Sequence, residues 1–294
     1  MRARHIERLK ESYPEAKVTW CHSQTSLLRA LPKAQVVLSW AFHQPWFACA
    51  PELRRLATPA AGRDFFKIAP PSRVKVLYGA FHGPMMAETV LGLMLAVNRG
   101  VLEAYRRQLQ GELWPREAMY DVRLLHGSHA VIVGFGHIGT AIGRQLKAFG
   151  VRITGVRRTP QARRPPWFCR DDDIVTVSRL NEVLPEADHL ILVLPSDTGT
   201  DKLIDAARLA RLPRHAVVYN VGRGNCIDES ALAKALKSGA LRGACLDVFA
   251  EEPLTRASPL ARPLPGLIRL PHSSAFAEVY MDRFLDEVIA WLDK

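Results

Sequence analysis

The chain lacks the segments by which membrane and secreted proteins are usually recognised. Its 294 residues contain no uninterrupted apolar run of the length, about 18 residues, that crosses a bilayer. The opening stretch, MRARHIER, is charged where a secretory signal would be apolar. These absences predict a soluble, cytoplasmic protein without a membrane partner.

Cysteine is scarce, and acidic residues are outnumbered by basic ones. The five cysteines form no CxxC pair and have no histidine at metal-ligand spacing, which predicts idle thiols and no metal centre. Lysine and arginine number 40 against 29 acidic residues, a net charge of +11. Because the arginines are spread along the chain and form no compact run, we interpret this charge as solvated surface and predict no nucleic-acid partner.

Apolar, β-branched segments alternate with helical patterns along the chain, which predicts an α/β fold with parallel sheets. The length favours two domains. A helical pattern over about 84–110 is expected to carry the chain from one domain to the next. The predicted strands cover residues 36–40, 74–78, 130–133, 151–156, 189–194, 216–220 and 243–248.

A glycine-rich turn follows the predicted strand 130–133 and precedes a helical segment. Its spacing is GxGxxG, and a second strand follows at 151–156. In such a turn the backbone N–H groups and the helix N-terminus receive a pyrophosphate, and the third glycine permits close helix–strand packing. We predict a dinucleotide site; the alternative is a tight turn in an ordinary α/β domain. The predicted contacts are Gly134, Gly136, His137, Ile138 and Gly139.

No acidic residue stands at the end of the second strand, where an NAD site usually offers a carboxylate to the ribose. Arg157 and Arg158 occupy this place. A guanidinium binds a 2′-phosphate through charge-assisted hydrogen bonds, so we predict NADP(H) as the preferred cofactor and NAD(H) as the second. The alternative is that these arginines are surface charges, like Arg163 and Arg164.

Three further motifs follow the glycine turn in order. They read NVGRGNCIDE at 220–229, LDVFAEEP at 246–253 and LPHSS at 270–274. The ordered set resembles the D-isomer-specific 2-hydroxyacid dehydrogenase family, which includes glyoxylate/hydroxypyruvate reductases, D-lactate dehydrogenases and phosphoglycerate dehydrogenases. The resemblance extends from about residue 58 to the C-terminus. It implies a Rossmann-type dinucleotide-binding domain at 90–271 and a discontinuous flavodoxin-like substrate domain made of 1–89 and the returning helix at 272–294.

The resemblance also implies roles for the residues in these motifs. Arg223 would bind the carboxylate and carbonyl of a 2-keto acid, and His272 would donate a proton in reduction and accept one in oxidation. Glu252 would favour the charged imidazole. The simpler alternatives are an arginine that caps a loop, a surface histidine and a helix boundary. For the cofactor, the resemblance adds Pro195, Val221 and Asp247.

The N-terminal part supplies the expected substrate side. Ala61, Gly62 and Arg63 resemble the family's loop whose backbone N–H groups receive the substrate carboxylate. Arg223 and His272 are the other expected substrate contacts. Arg63 replaces a small aliphatic residue, and either faces the substrate or points to solvent. Four aromatic residues form either an apolar wall beside the substrate or part of the core, the latter being favoured; they are Trp40, Phe42, Trp46 and Phe47.

The implied reaction is the reduction of a small 2-keto acid of the glyoxylate/hydroxypyruvate type to the D-2-hydroxy acid. The alternatives are an NAD-linked D-lactate or phosphoglycerate dehydrogenase and a non-catalytic, dinucleotide-sensing corepressor-like protein. A homodimer involving the segment around Trp114 is also implied. One departure from the family is the opening amphipathic helix, where relatives begin with an apolar strand inside the sheet. We therefore expect unpaired neighbours there and a start chosen too far downstream.

Overall fold

A computed structural model describes residues 1–159 and 163–294 in two compact units. The first unit combines Met1–His82 with Phe276–Lys294, and the second is Gly83–Ala275. Both contain parallel sheets and helices, so the predicted α/β class is confirmed. The predicted domain boundaries at 89/90 and 271/272 differ from these limits by seven and four residues and remain a proposal.

The first unit contains a three-stranded parallel sheet in the order β1-β2-β3. The central strand pairs with both neighbours, so that Leu56 lies opposite Val37 on one side and Val76 on the other. Parallel neighbours require a crossover connection, and each of the two crossovers contains a short 3₁₀ turn, at Gln44–Phe47 and Arg63–Phe65. The elements are β1 (Val36–Leu38), β2 (Arg55–Thr58), β3 (Lys75–Tyr78), α1 (Ala3–Ser12), α2 (Gln24–Ala30) and α9 (Tyr280–Leu292).

The core of this unit contains three of the four aromatic residues singled out above. Phe42, Trp46 and Phe47 are buried against Leu53 and Leu56, so they are core residues and form no wall beside a substrate. The fourth, Trp40, is 46% exposed. The aromatic set therefore divides, and Trp40 alone remains available to a ligand.

Strand β1 forms one edge of the small sheet. Its first residue, Val36, is 41% exposed, and residues 17–20 lie outside any regular element. A cavity of about 1560 Å³ is lined by both segments and by side chains of α1, α2 and α9.

The second unit contains a seven-stranded parallel sheet in the order β10-β9-β8-β7-β4-β5-β6. Every residue of β4, β7, β8 and β9 is buried, as expected of central parallel strands covered on both faces. The strands are β4 (His129–Val133), β5 (Arg152–Arg157), β6 (Asp173–Thr176), β7 (His189–Leu192), β8 (Val217–Asn220), β9 (Gly243–Leu246) and β10 (Leu267–Arg269). The helices are α3 (Gly83–Asn98), α4 (Val101–Leu109), α5 (His137–Ala148), α6 (Leu180–Val183), α7 (Ala206–Leu209) and α8 (Glu229–Lys237).

The single helix expected over 84–110 is wrong, because the chain bends at Gly100. This residue has φ of 65°, a left-handed conformation that glycine adopts readily, and it separates α3 from α4. Within the described residues no single helix has both the length and the apolarity to cross a bilayer. The pair α3 and α4, bent by 66°, meets those criteria only when its two helices are counted together.

Candidate active site

The turn between β4 and α5 depends on glycine at two close approaches. A Cβ on Gly134 would lie 2.3 Å from the Val193 carbonyl oxygen, and one on Gly139 would lie 2.4 Å from the Gly134 carbonyl oxygen. Gly134 also has φ of 95°. Any side chain at these two positions would push the helix away from the sheet.

The middle glycine of the turn, Gly136, has a different environment. No heavy atom of the described chain lies within 4 Å of a Cβ built on Gly136, so the backbone there is open. Gly136 is the N-cap of α5, and no side chain caps the helix. The N–H groups of His137 and Ile138, in the first turn, are therefore left for a ligand. An open backbone beside an uncapped helix N-terminus fits the pyrophosphate of a dinucleotide.

The two arginines predicted to bind a 2′-phosphate stand where β5 ends. Arg157 is its last residue, and the Arg158 guanidinium lies 2.5 Å from the Asp197 carboxylate. This hydrogen bond holds the pKa of Asp197 below its ordinary value. The Arg158 side chain is 73% exposed. Asp197 was not predicted, because only the fold brings the loop after β7 beside the end of β5.

Arg223 lies in a tight turn directly after β8. The Asn220 side chain donates to the Arg223 carbonyl at 2.9 Å and accepts from the Gly222 N–H at 3.1 Å. The Arg223 guanidinium donates to the Gly222 carbonyl at 2.9 Å. Buried Asn220 therefore fixes the backbone on both sides of the arginine.

The glycines that flank Arg223 allow three loops to pack together. A Cβ on Gly222 would lie 2.5 Å from the Leu194 nitrogen, in the loop after β7. A Cβ on Gly224 would lie 1.8 Å from the Phe249 carbonyl carbon, in the loop after β9. The GRG sequence thus reflects backbone packing at the carboxyl edge of the sheet.

His272 and Glu252 form a pair. The His272 Nδ1 atom lies 2.7 Å from the Glu252 carboxylate, whose other oxygen accepts from the Phe249 N–H at 2.9 Å. The two side chains are 51% and 34% exposed, so the imidazole stays accessible to a small molecule. With Nδ1 occupied, the Nε2 atom is the one left to exchange a proton with a substrate.

Asp247 anchors the turn that carries the histidine. It is buried, and its carboxylate oxygens accept from the N–H groups of Ser273 at 2.7 Å and Ser274 at 2.8 Å. The Thr89 hydroxyl, on α3, donates to the Ser274 carbonyl at 2.9 Å. His272 itself has φ of 54°, a conformation that this anchoring maintains. Thr89 was not predicted, and the contact of Asp247 with a cofactor remains a prediction.

A chain of close contacts joins the predicted residues of the second unit. The glycine turn meets the end of β7, that segment meets the Arg223 turn, and the Arg223 turn meets Phe249, which holds Glu252. Val221 is buried at the same edge, and the exposed Pro195 begins the loop after β7. The structure therefore brings the glycine turn, Arg223, Glu252 and His272 to one edge of one sheet.

The predicted substrate loop belongs to the first unit, at the carboxyl end of β2. The N–H groups of Ala61 and Gly62 have no hydrogen-bond acceptor in the described part of the chain. The Arg63 guanidinium lies 5.8 Å from the centre of the Tyr78 ring, a cation–π contact. The loop can thus present unpaired N–H groups to an anion while the Arg63 side chain rests on Tyr78.

Two cysteines of the second unit, Cys226 and Cys245, are buried. Burial raises the pKa of the Cys226 thiol to about 11 and that of Cys245 to about 12. Both thiols therefore stay protonated near neutral pH, which argues against a thiolate nucleophile beside the Arg223 turn.

Comparisons with known proteins agree with this geometry. Residues 91–274 match the family model described as D-isomer specific 2-hydroxyacid dehydrogenase, NAD binding domain. Glyoxylate/hydroxypyruvate reductase B of Pectobacterium carotovorum is 35% identical over 232 residues, which cover 76% of this chain and 69% of that protein. D-3-phosphoglycerate dehydrogenase of Methanocaldococcus jannaschii is 35% identical over 193 residues; they cover 66% of this chain but 35% of that protein, about a third of its length.

A solved structure extends the likeness over nearly the whole chain. It is a D-isomer specific 2-hydroxyacid dehydrogenase family protein from Aeromonas salmonicida, 31% identical, with a TM-score of 0.82 and coverage of 99% of this chain and 93% of that one. The chain belongs to the D-isomer specific 2-hydroxyacid dehydrogenase family, whose members are NAD(P)-dependent oxidoreductases that act on CH–OH groups.

Proposed function

We propose that this protein is an NADPH-dependent reductase of small 2-keto acids of the glyoxylate/hydroxypyruvate type, which yields the D-2-hydroxy acid. The observation that carries the proposal is the His272–Glu252 pair, at 2.7 Å, on the sheet edge that also holds Arg223 and the open glycine turn. The similarity to glyoxylate/hydroxypyruvate reductase B supports the choice of substrate.

In the proposed mechanism Arg223, His272 and Glu252 have distinct tasks. The Arg223 guanidinium pairs with the carboxylate and polarises the carbonyl, which stabilises the negative charge that develops on its oxygen. The protonated His272 gives its Nε2 proton to that oxygen, while Glu252 holds the ring through Nδ1 and stabilises the imidazolium. Bound NADPH supplies the hydride. In the oxidation direction the neutral His272 takes the hydroxyl proton.

The cofactor would be held by the turn at Gly134, Gly136 and Gly139, with its pyrophosphate on the N–H groups that begin α5. We further propose that Arg157 and Arg158 would hold the 2′-phosphate, for which the Arg158 guanidinium would have to divide its hydrogen bonds between the phosphate and Asp197. Replacing Arg157 by Asp and Arg158 by Ala should reverse the ratio of kcat/KM for NADPH to that for NADH. An unchanged NADPH preference would contradict this cofactor assignment.

The decisive experiment is an activity panel with NADPH and NADH against glyoxylate, hydroxypyruvate, pyruvate and phenylpyruvate. We expect NADPH oxidation by the wild type, and losses in kcat/KM of about 10²-fold or more for His272→Ala and Arg223→Ala. Fluorescence titration of NADPH binding gives the control, since both variants should still bind it. A protein that binds NADPH but oxidises it with none of these acids would instead support a dinucleotide-sensing binding protein.

The assembly that we propose is a homodimer. The segment after α4 exposes large apolar side chains to an unusual degree, including Leu113 at 94%, Trp114 at 80% and Tyr120 at 80%. Clustered exposure of this kind marks interaction surfaces. A second copy of the chain would cover them.

A further inference from the structure

Three aromatic side chains of the first unit lie in contact at the carboxyl end of its sheet. Trp40 follows β1, Phe65 lies in the loop after β2, and Tyr280 begins α9. The Trp40 ring stacks on Tyr280, with centroids 5.8 Å apart and planes 15° apart. It meets Phe65 edge-on, with centroids 6.1 Å apart. We call these three residues the aromatic platform.

The platform is exposed, and the polar contacts of the Tyr280 hydroxyl hold it in place. Trp40 is 46% and Phe65 52% exposed. The Tyr280 hydroxyl donates to the Pro59 carbonyl at 3.3 Å and lies 3.0 Å from the His82 Nε2 atom. Burial raises the pKa of Tyr280, so this hydroxyl keeps its proton at neutral pH. The platform is thus a fixed apolar surface left uncovered.

The platform adjoins the loop whose N–H groups are free to bind an anion. Phe65 lies in a short 3₁₀ turn and donates its N–H to the Gly62 carbonyl at 3.2 Å. Pro59, which accepts from Tyr280, is two residues before Ala61. Ligands of parallel α/β sheets bind at the carboxyl ends of the strands, and both features lie there.

We propose that the aromatic platform binds the side chain of 2-keto acids that carry an aromatic ring, of which phenylpyruvate is the simplest probe, while the N–H groups of Ala61 and Gly62 bind the carboxylate. Glyoxylate has no side chain and pyruvate only a methyl group, so neither covers two exposed rings. An aryl group is large enough to cover both exposed rings, and it gains the edge-to-face contacts that aromatic rings favour. The proposal rests on the proposed function and extends its substrates beyond the smallest acids.

The test compares kcat/KM for phenylpyruvate with that for pyruvate in four proteins: the wild type, Trp40→Ala, Trp40→Phe and Trp20→Ala. Trp20 is the control, because it is 41% exposed in the same unit and its ring contacts that of His22, with centroids 4.3 Å apart. We expect the wild type to favour phenylpyruvate. Trp40→Ala should lower the phenylpyruvate-to-pyruvate ratio about tenfold or more. Trp40→Phe should keep most of the wild-type ratio, and Trp20→Ala should leave the ratio within about twofold of the wild-type value.

A ratio that Trp40→Ala does not change, or a wild type that favours pyruvate, would overturn the proposal. If the wild type reduces no keto acid, the proposed function fails and the platform is judged by calorimetry with D-phenyllactate and D-lactate. Tighter binding of D-phenyllactate that Trp40→Ala abolishes supports the platform; equal binding overturns it. A change of oligomeric state in Trp40→Ala with unchanged selectivity would show that another protein surface covers the rings, and would also overturn it.

Discussion

In the proposed mechanism Glu252 acts on the reaction only through His272, so its replacement should separate positioning from proton transfer. Glu252→Gln keeps a hydrogen-bond acceptor for the Phe249 N–H but removes the charge that stabilises the imidazolium. We expect kcat to fall about 10- to 100-fold, less than the effect of removing the acid itself, with KM little changed. The control is Glu251→Gln, at the neighbouring exposed carboxylate, and an equal loss there would contradict the assignment.

Residue by residue, the sequence predicted which side chains the structure brings together in the second unit but not how they are held. Arg223, Glu252 and His272 belong to motifs that can be recognised in the sequence. Asp197 and Thr89 stand in no motif, and they contact Arg158 and Ser274 only because distant loops meet in the fold. The aromatic set was divided by burial, a property that depends on packing between segments. The sequence alone offers no measure of that packing.

At the level of the turn before α5, the glycines should respond differently to the same substitution. Gly139→Ala places a Cβ 2.4 Å from the Gly134 carbonyl oxygen and should lower the free energy of unfolding by about 2 kcal/mol. The Cβ of Gly136→Ala meets no described atom, so the free energy of unfolding should change by less than about 1 kcal/mol. The Kd for NADPH should rise about tenfold, because the new methyl group would occupy space needed by the pyrophosphate. Urea unfolding and fluorescence titration measure the two effects. The reverse pattern would contradict the cofactor site.

Asp172 joins α5, β5 and the segment before β6, and should make their stability depend on pH. Burial alone would raise its pKa, but hydrogen bonds from Lys147 and from the N–H groups of Ile153 and Cys169 outweigh this and lower it. Because the folded-state pKa is depressed, the stabilisation is complete above the unfolded-state value and is lost as pH falls through the folded-state value. Asp172→Asn should cost about 3 kcal/mol at pH 7.

The measurement is urea unfolding of the wild type and Asp172→Asn at pH 7 and pH 3, and the difference between them should shrink at pH 3. Asp171→Asn, at the exposed neighbouring position, is the control and should change stability little. A difference that persists unchanged at pH 3 would contradict the ionic origin of the effect.

Among the elements, the strands that form continuous apolar runs were predictable, whereas three strands with charged end residues were not. β4, β7, β8 and β9 are buried throughout and read as continuous apolar runs. β2, β6 and β10 have three or four residues each and include polar side chains, so local pattern did not distinguish them from loops. The break between α3 and α4 depends on one glycine conformation, which the helical periodicity on both sides concealed.

On the scale of the whole molecule, the exposed apolar segment after α4 predicts self-association. Leu109 at the end of α4 and three residues after it, Leu113, Trp114 and Leu124, are each at least 71% exposed, an arrangement that leaves a large apolar surface in water unless a second copy covers it. Tryptophan is among the residues that contribute most to binding at such surfaces. Light scattering at micromolar concentration should therefore give about twice the chain mass of 32.8 kDa. Trp114→Glu should give the monomer mass, whereas Trp20→Glu, a matched exposed tryptophan, should leave the dimer intact. A monomeric wild type would contradict the dimer. A dimer that persists in Trp114→Glu would place the interface elsewhere.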